Sequence, residues 1–160
     1  MVYVDKTGLI EMLNQRLSTE DKCIAVSHAR RFGKSHAAGM VDAYYSLGCD
    51  STKLFEDTKL ANNADWKKHI NRYNVIHLDV SSAWDFHKED LIESIHDRVC
   101  DDFQKIYGEE LRYEKDLYLL IQEIYVKTGI PFVIIIDEWD CVIRNSTDTE
   151  LVHKYLQFLH

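Results

Sequence analysis

Lys22-Cys23-Ile24-Ala25-Val26-Ser27-His28-Ala29-Arg30-Arg31-Phe32-Gly33-Lys34-Ser35 carries more information about the fold than any other run of this chain. A short apolar run, Cys23-Ile24-Ala25-Val26, leads into a polar loop. The loop closes on Gly33-Lys34-Ser35, and a helical pattern begins at once. Strand, loop, Gly-Lys-Ser and helix in that order form the pattern of a phosphate-binding loop. Gly33 has no Cβ, so the backbone can approach an oxyanion closely. A helix start offers unpaired N–H groups and the positive end of its dipole. Lys34 brings an ammonium to the terminal phosphates, and Ser35 brings a hydroxyl suited to Mg2+. The usual loop has a first Gly at the position of His28, so the motif is a variant. Read by itself, Gly-Lys-Ser is also an ordinary helix start capped near Ser35.

A second motif lies far downstream. Phe132-Val133-Ile134-Ile135-Ile136 is an unbroken apolar run preceded by Gly129 and Pro131. It predicts a strand buried on both faces, as in a parallel sheet. It ends in Asp137-Glu138-Trp139-Asp140. Carboxylates at the carboxyl end of a buried parallel strand stand where α/β folds bind ligands. Asp137 is placed to hold Mg2+, directly or through water, and Glu138 to polarise an attacking water. A polar strand end running into a turn would account for one such carboxylate, but fits three of them less well. Trp139 either packs at the strand end or borders a nucleotide, and packing suits a large aromatic better.

The two motifs in this order resemble the bacterial and archaeal AAA-ATPase-like proteins, a P-loop lineage with a variant phosphate loop. The resemblance rests on Tyr3-Val4-Asp5-Lys6-Thr7, on Arg30 through Ser35, on Leu54-Phe55-Glu56 and on Ile136 through Asp140. It implies an α/β fold of the P-loop NTPase type: three α/β/α layers, a mainly parallel sheet, one domain over residues 1–160. It also implies ATP as the nucleotide. The phosphate site would comprise His28, Ala29, Arg30, Arg31, Phe32, Gly33, Lys34, Ser35 and His36. Ser35 and Asp137 would hold Mg2+, and Lys34 and Glu138 would carry the chemistry. Ala29 stands where the family usually has Pro, which loosens the loop without removing a phosphate ligand.

Relatives of this kind are longer. They add strands, one bearing a residue that senses the terminal phosphate, and many carry a nuclease-like domain. Here the chain reaches His160 inside a predicted helix. The expectation is therefore a fold incomplete at its C-terminal end, with three strands at residues 23–26, 75–80 and 132–136. Open sheet edges in such a remnant favour self-association.

The remaining sequence supports helices over residues 8–17, 34–47, 65–72, 88–107 and 113–127, with an irregular connection over 48–64. Leu91, Ile92, Ile95, Val99, Phe103 and Ile106 recur at helical spacing. Thr147-Asp148-Thr149-Glu150 reads as a capping box opening a last helix. Asp5 or Thr7 caps the first helix, or else the segment folds back toward the nucleotide. Arg30-Arg31 is either a solvated pair or extra positive charge over the phosphates.

At 160 residues, 46% hydrophobic, the chain can bury one core, and its net charge of −8 argues against non-specific nucleic-acid binding. Nucleic acid enters only through other domains. The four cysteines are widely spaced with no Cys-x-x-Cys, which suggests reduced thiols. The opening residues, with Asp5 and Lys6, do not resemble a secretory signal, and no apolar stretch reaches membrane length. A cytoplasmic protein is expected. The functional expectation is ATP binding with Mg2+-dependent hydrolysis. The alternatives are a nucleotide-binding module without turnover, or the regulatory ATPase part of a DNA-directed nuclease system.

Overall fold

The computed structural model describes residues 4–17, 19–26, 33–88, 90–108 and 116–160. The chain divides into two compact units, Met1–Val75 and Ile76–His160.

The first unit is built around α2 (Lys34–Tyr45). Its buried face carries Val41, Tyr44 and Tyr45, and Ile10 of α1 (Gly8–Arg16), Phe55 of α3 (Thr52–Phe55), Leu60 and Trp66 are also buried in this unit. The rings of Tyr44 and Tyr45 meet edge to face at 4.8 Å, and Tyr44 meets Phe55 at 5.4 Å. Their hydroxyls remain satisfied: Tyr44 donates to the Trp66 carbonyl at 2.6 Å and Tyr45 to Asn14 Oδ1 at 2.6 Å. Burial pushes both phenols up, so both stay neutral donors.

Asn71 fastens the far end of α2. Its side-chain amide donates to the carbonyls of Ala43 (3.2 Å) and Ser46 (2.9 Å), and its own N–H donates to the Tyr44 carbonyl (2.7 Å). These are carbonyls that a helix end leaves without intrahelical partners. Asn71 reaches them from a left-handed backbone, φ 54°, which Asn tolerates. Ser46 then bridges Tyr73, so α2 ends at Tyr45 rather than at the expected residue 47.

Three expectations are corrected in this unit. Residues 22–26 form no strand, and Cys23, Ala25 and Val26 are exposed. An apolar run becomes a strand only where a neighbouring strand accepts its ladder, which no local pattern supplies. Residues 65–72 are successive turns, not a helix: Asn63 Oδ1 accepts the Asp65 N–H, and three-residue bonds link Trp66 to Asn63 and Lys68 to Asp65. The connection over 48–64 is partly regular, holding α3 and a 3-10 turn at Lys59–Asn62.

β1 (Asn74–Asp79) leads into the second unit, where it pairs in parallel with β2 (Phe132–Asp137). Parallel neighbours need a crossover, and α4 (Val80–Phe86), α5 (Leu91–Tyr107) and α6 (Leu117–Thr128) provide it. α7 (Cys141–Asn145) and α8 (Thr149–Leu159) follow. The core joins Ile76 and Leu78 of β1, Val80 and Trp84 of α4, the α5 stripe, Leu120 and Ile124 of α6, and Tyr155 of α8. The stripe stops at Phe103, because Ile106 is 66% exposed.

The described residues thus form an α/β arrangement with two strands where three were expected. β2 is not buried on both faces: Ile134 is 51% exposed. Side chains on a sheet face are covered by elements packed on that face, and Ile134 stands outside the apolar cluster of the described residues. The last helix is capped by Asp148, whose carboxylate accepts the N–H groups of Glu150 and Leu151, rather than by Thr147. Glu150 pairs with Lys154 at 2.9 Å instead of closing a capping box. α4 and α7 are short helices that the sequence pattern did not reveal. Cys23 and Cys49 are exposed thiols, and Cys100 and Cys141 are buried ones.

The opening motif has a structural role in the first unit. Thr7 holds the N-cap position of α1 but makes no cap bond. Instead Asp5 accepts from Thr7 Oγ1 (2.7 Å), from the Thr7 N–H (2.9 Å) and from the Lys59 N–H (2.7 Å). Thr7 Oγ1 in turn accepts the Leu60 N–H at 3.1 Å. Burial works against the Asp5 charge, but these hydrogen bonds outweigh it and hold its carboxyl below the usual range. A lowered carboxylate stabilises the fold above the unfolded value, about 3.9, and loses that contribution as pH falls. Asp5→Ala should cost about 1–2 kcal/mol at pH 7 in urea unfolding. The gap from wild type should narrow near pH 3, and an equal gap at both pH values would contradict the charged tether.

Candidate functional site

The candidate residues fall in both units. In the first, Gly33 sits at φ 76°, ψ 34° and turns the chain into α2. That left-handed geometry is costly for any residue with a Cβ. Lys34, Ser35 and His36 form the first helical turn, which contains no acidic residue. Lys34 is half-buried, and Ser35 and His36 are exposed. The helix start therefore presents its N–H groups together with one ammonium and one hydroxyl. This chemistry suits an anion.

Lys6 is the group here that sequence reasoning missed. Its Nζ lies 3.0 Å from where a Cβ on Gly33 would be. The tether from Asp5 and Thr7 to the 3-10 turn fixes the backbone on either side of it. Gly33 is thus constrained by its backbone angles, while the flexible Lys6 side chain could yield to an added Cβ. The contiguous motif Tyr3-Val4-Asp5-Lys6-Thr7 was the available signal, but only the folded unit connects Lys6 to Gly33. His28, Ala29, Arg30, Arg31 and Phe32 lie outside the described residues.

In the second unit the acidic motif forms a tight turn after β2. Asp137 Oδ1 accepts the N–H of Glu138 at 3.0 Å. Glu138 takes a left-handed backbone, φ 52°, and its carbonyl accepts the Cys141 N–H at 2.9 Å. A non-glycine residue in this region costs on the order of 1 kcal/mol, which these bonds offset. The Trp139 carbonyl accepts from the Tyr155 hydroxyl at 2.7 Å. Burial is the first cause raising that phenol, with Cys141 and Asp140 adding to it, so Tyr155 remains a neutral donor. Trp139 itself is 46% exposed rather than packed, because the turn is held through its carbonyl.

Arg144 of α7 gathers two of the three carboxylates. Its Nη2 meets Glu138 Oε2 at 2.6 Å and its Nε meets Asp140 Oδ2 at 2.8 Å. A third contact, Nη2 to Asp140 Oδ1, is 3.3 Å long. The spacing from Asp140 to Arg144 is the helical ion-pair spacing, and it was legible in the sequence. Asp137 is left out of this cluster. Its Oδ2 has no hydrogen bond among the described residues and remains open to a hard cation or its water.

Among the described residues, no three His, Cys, Asp or Glu side chains gather to hold a metal, and no helix is long and apolar enough to cross a membrane. The chain belongs to the AAA-ATPase-like family, whose model, described as Predicted AAA-ATPase, matches residues 1–160. Membership carries a general ATPase-like, nucleotide-binding character. No curated protein and no solved structure matches the chain.

Gly33→Ala should destabilise the first unit by about 1–2 kcal/mol, since Ala must adopt a left-handed backbone. Gly39→Ala in the helix interior, where a Cβ meets nothing within 4 Å, should instead be neutral or stabilising. Urea midpoints of the two variants check this, and equal effects would contradict the constraint at Gly33.

Proposed function

We propose that residues 1–160 form one P-loop domain of the three-layer α/β/α kind that binds ATP and hydrolyses it with Mg2+. The observation that carries this reading is the start of α2, where a left-handed Gly33 is followed at once by Lys34 and Ser35. The family match over the whole chain supports it.

In this reading His28 through His36 are the phosphate-binding residues, with Gly33 and the first turn of α2 at their end. Arg30 and Arg31 add positive charge where the usual first glycine is missing. Lys34 holds the terminal phosphates. Ser35 and Asp137 are the hard-oxygen donors this reading assigns to Mg2+, which normally takes one or two protein oxygens and keeps several waters. When bound, the ion neutralises charge on the phosphate oxygens. Glu138 orients the attacking water and draws on its proton. Positioning and electrostatics supply most of the rate in such sites.

Glu138→Gln tests the assignment. The variant should keep its affinity for ATP yet lose single-turnover hydrolysis by about 10²–10⁴-fold. Unchanged hydrolysis would remove Glu138 from the role. Nucleotide binding by the wild type without any hydrolysis would leave a binding module in place of the enzyme.

A further inference from the structure

We propose that Arg144 is the positioning residue for Glu138, orienting its carboxylate toward the water it acts on. The inference rests on the hydrolytic reading above and adds to it a residue that neither the family match nor the sequence motifs assign.

The geometry is that of a fixed bracket. Arg144 is held first by Asp140, through Nε at 2.8 Å and Nη2 at 3.3 Å, so its planar guanidinium has a set orientation. From that platform Nη2 grips one oxygen of Glu138, Oε2, at 2.6 Å. Among the described residues no hydrogen bond or ion pair reaches the other oxygen, Oε1. The Glu138 backbone is fixed on both sides, by Asp137 Oδ1 at its N–H and by Cys141 at its carbonyl. The helix that carries Arg144 is itself seated, because Cys141 and Val142 are buried in the second unit's core. One carboxylate oxygen is therefore tied and the other is presented. A glutamate side chain left alone would wander among rotamers, and the fork removes that freedom before substrate arrives. The side chains of Arg144 and Glu138 are 32% and 31% exposed, so the pair is screened less than a fully solvated one.

Arg144 acts through Glu138, and this gives the test a readout that a merely structural role would not move. Single-turnover hydrolysis and equilibrium ATP binding are measured for wild type, Arg144→Gln, Arg144→Lys, Glu138→Gln and the double variant Glu138→Gln/Arg144→Gln. Circular dichroism and thermal midpoints establish that each is folded. Arg144→Gln should slow hydrolysis by about tenfold to a hundredfold with ATP affinity unchanged. Arg144→Lys should fall between, since an ammonium supplies the charge without the fork. The double variant should be no slower than Glu138→Gln, because the bracket has nothing left to position.

Wild-type rates in Arg144→Gln, with Glu138→Gln still inactive, would overturn this inference alone. A faster Arg144→Gln would also overturn it, and would make the contact a restraint on Glu138. The same loss recurring in the Glu138→Gln background would show that Arg144 acts independently. Full activity in Glu138→Gln, or none in wild type, would remove the hydrolytic reading and this inference with it.

Discussion

The left-handed turn at Gly33 is the constraint on which the candidate phosphate site depends. It redirects the chain from the loop into α2 and places Lys34 and Ser35 in the same first turn. Everything else in the first unit serves to hold that helix. Tyr44 and Tyr45 lock its buried face, and Asn71 and Tyr73 occupy the carbonyls at its far end. Asp5 and Thr7 fasten the opening segment to Lys59 and Leu60 and so bring Lys6 against the turn. A helix pinned along its body and at its C-terminal end can present its N-terminal end in a fixed geometry. Preorganisation of that kind is what phosphate recognition needs.

The second unit solves a different problem with similar means. β2 delivers three carboxylates into a few residues, and like charges so close repel. The structure separates them. Asp137 is satisfied by a backbone N–H, while Glu138 and Asp140 share one guanidinium. The turn accepts a left-handed glutamate because Cys141 and Tyr155 bind the carbonyls around it. The two carboxylates are held differently: Asp137 Oδ1 by a backbone N–H and Glu138 Oε2 by Arg144.

Much of this was legible in the residues. The helices at Leu91–Tyr107 and Leu117–Thr128 follow from apolar spacing, the strand near residues 75–80 from apolar and polar alternation, and the strand at 132–136 from a β-branched run preceded by turn residues. What was not legible depends on partners distant in sequence. The run Cys23 to Val26 has strand composition, yet its pairing is a property of the fold and not of the run. Asp148 outcompeted Thr147 as a cap because its carboxylate reached two N–H groups at once. At the site, Lys34, Ser35, Asp137 and Glu138 were named by motif chemistry alone. Lys6 and Arg144 were not, because nothing in a motif says which side chain will lie against it. Arg144 came closest to being visible, through its spacing from Asp140.

We infer that the start of α2 is a nucleotide phosphate site. Thermal unfolding with Mg·ATP, with ATP and a chelator, and with Lys34→Ala under both conditions tests it most directly. Ligand at a hundred times its dissociation constant adds about 2.7 kcal/mol to the native state. For a chain of this size that should raise the midpoint by roughly 5–10 °C. The account requires a rise that depends on Mg2+ and vanishes in Lys34→Ala. No rise at millimolar Mg·ATP, or an equal rise in Lys34→Ala, would contradict it.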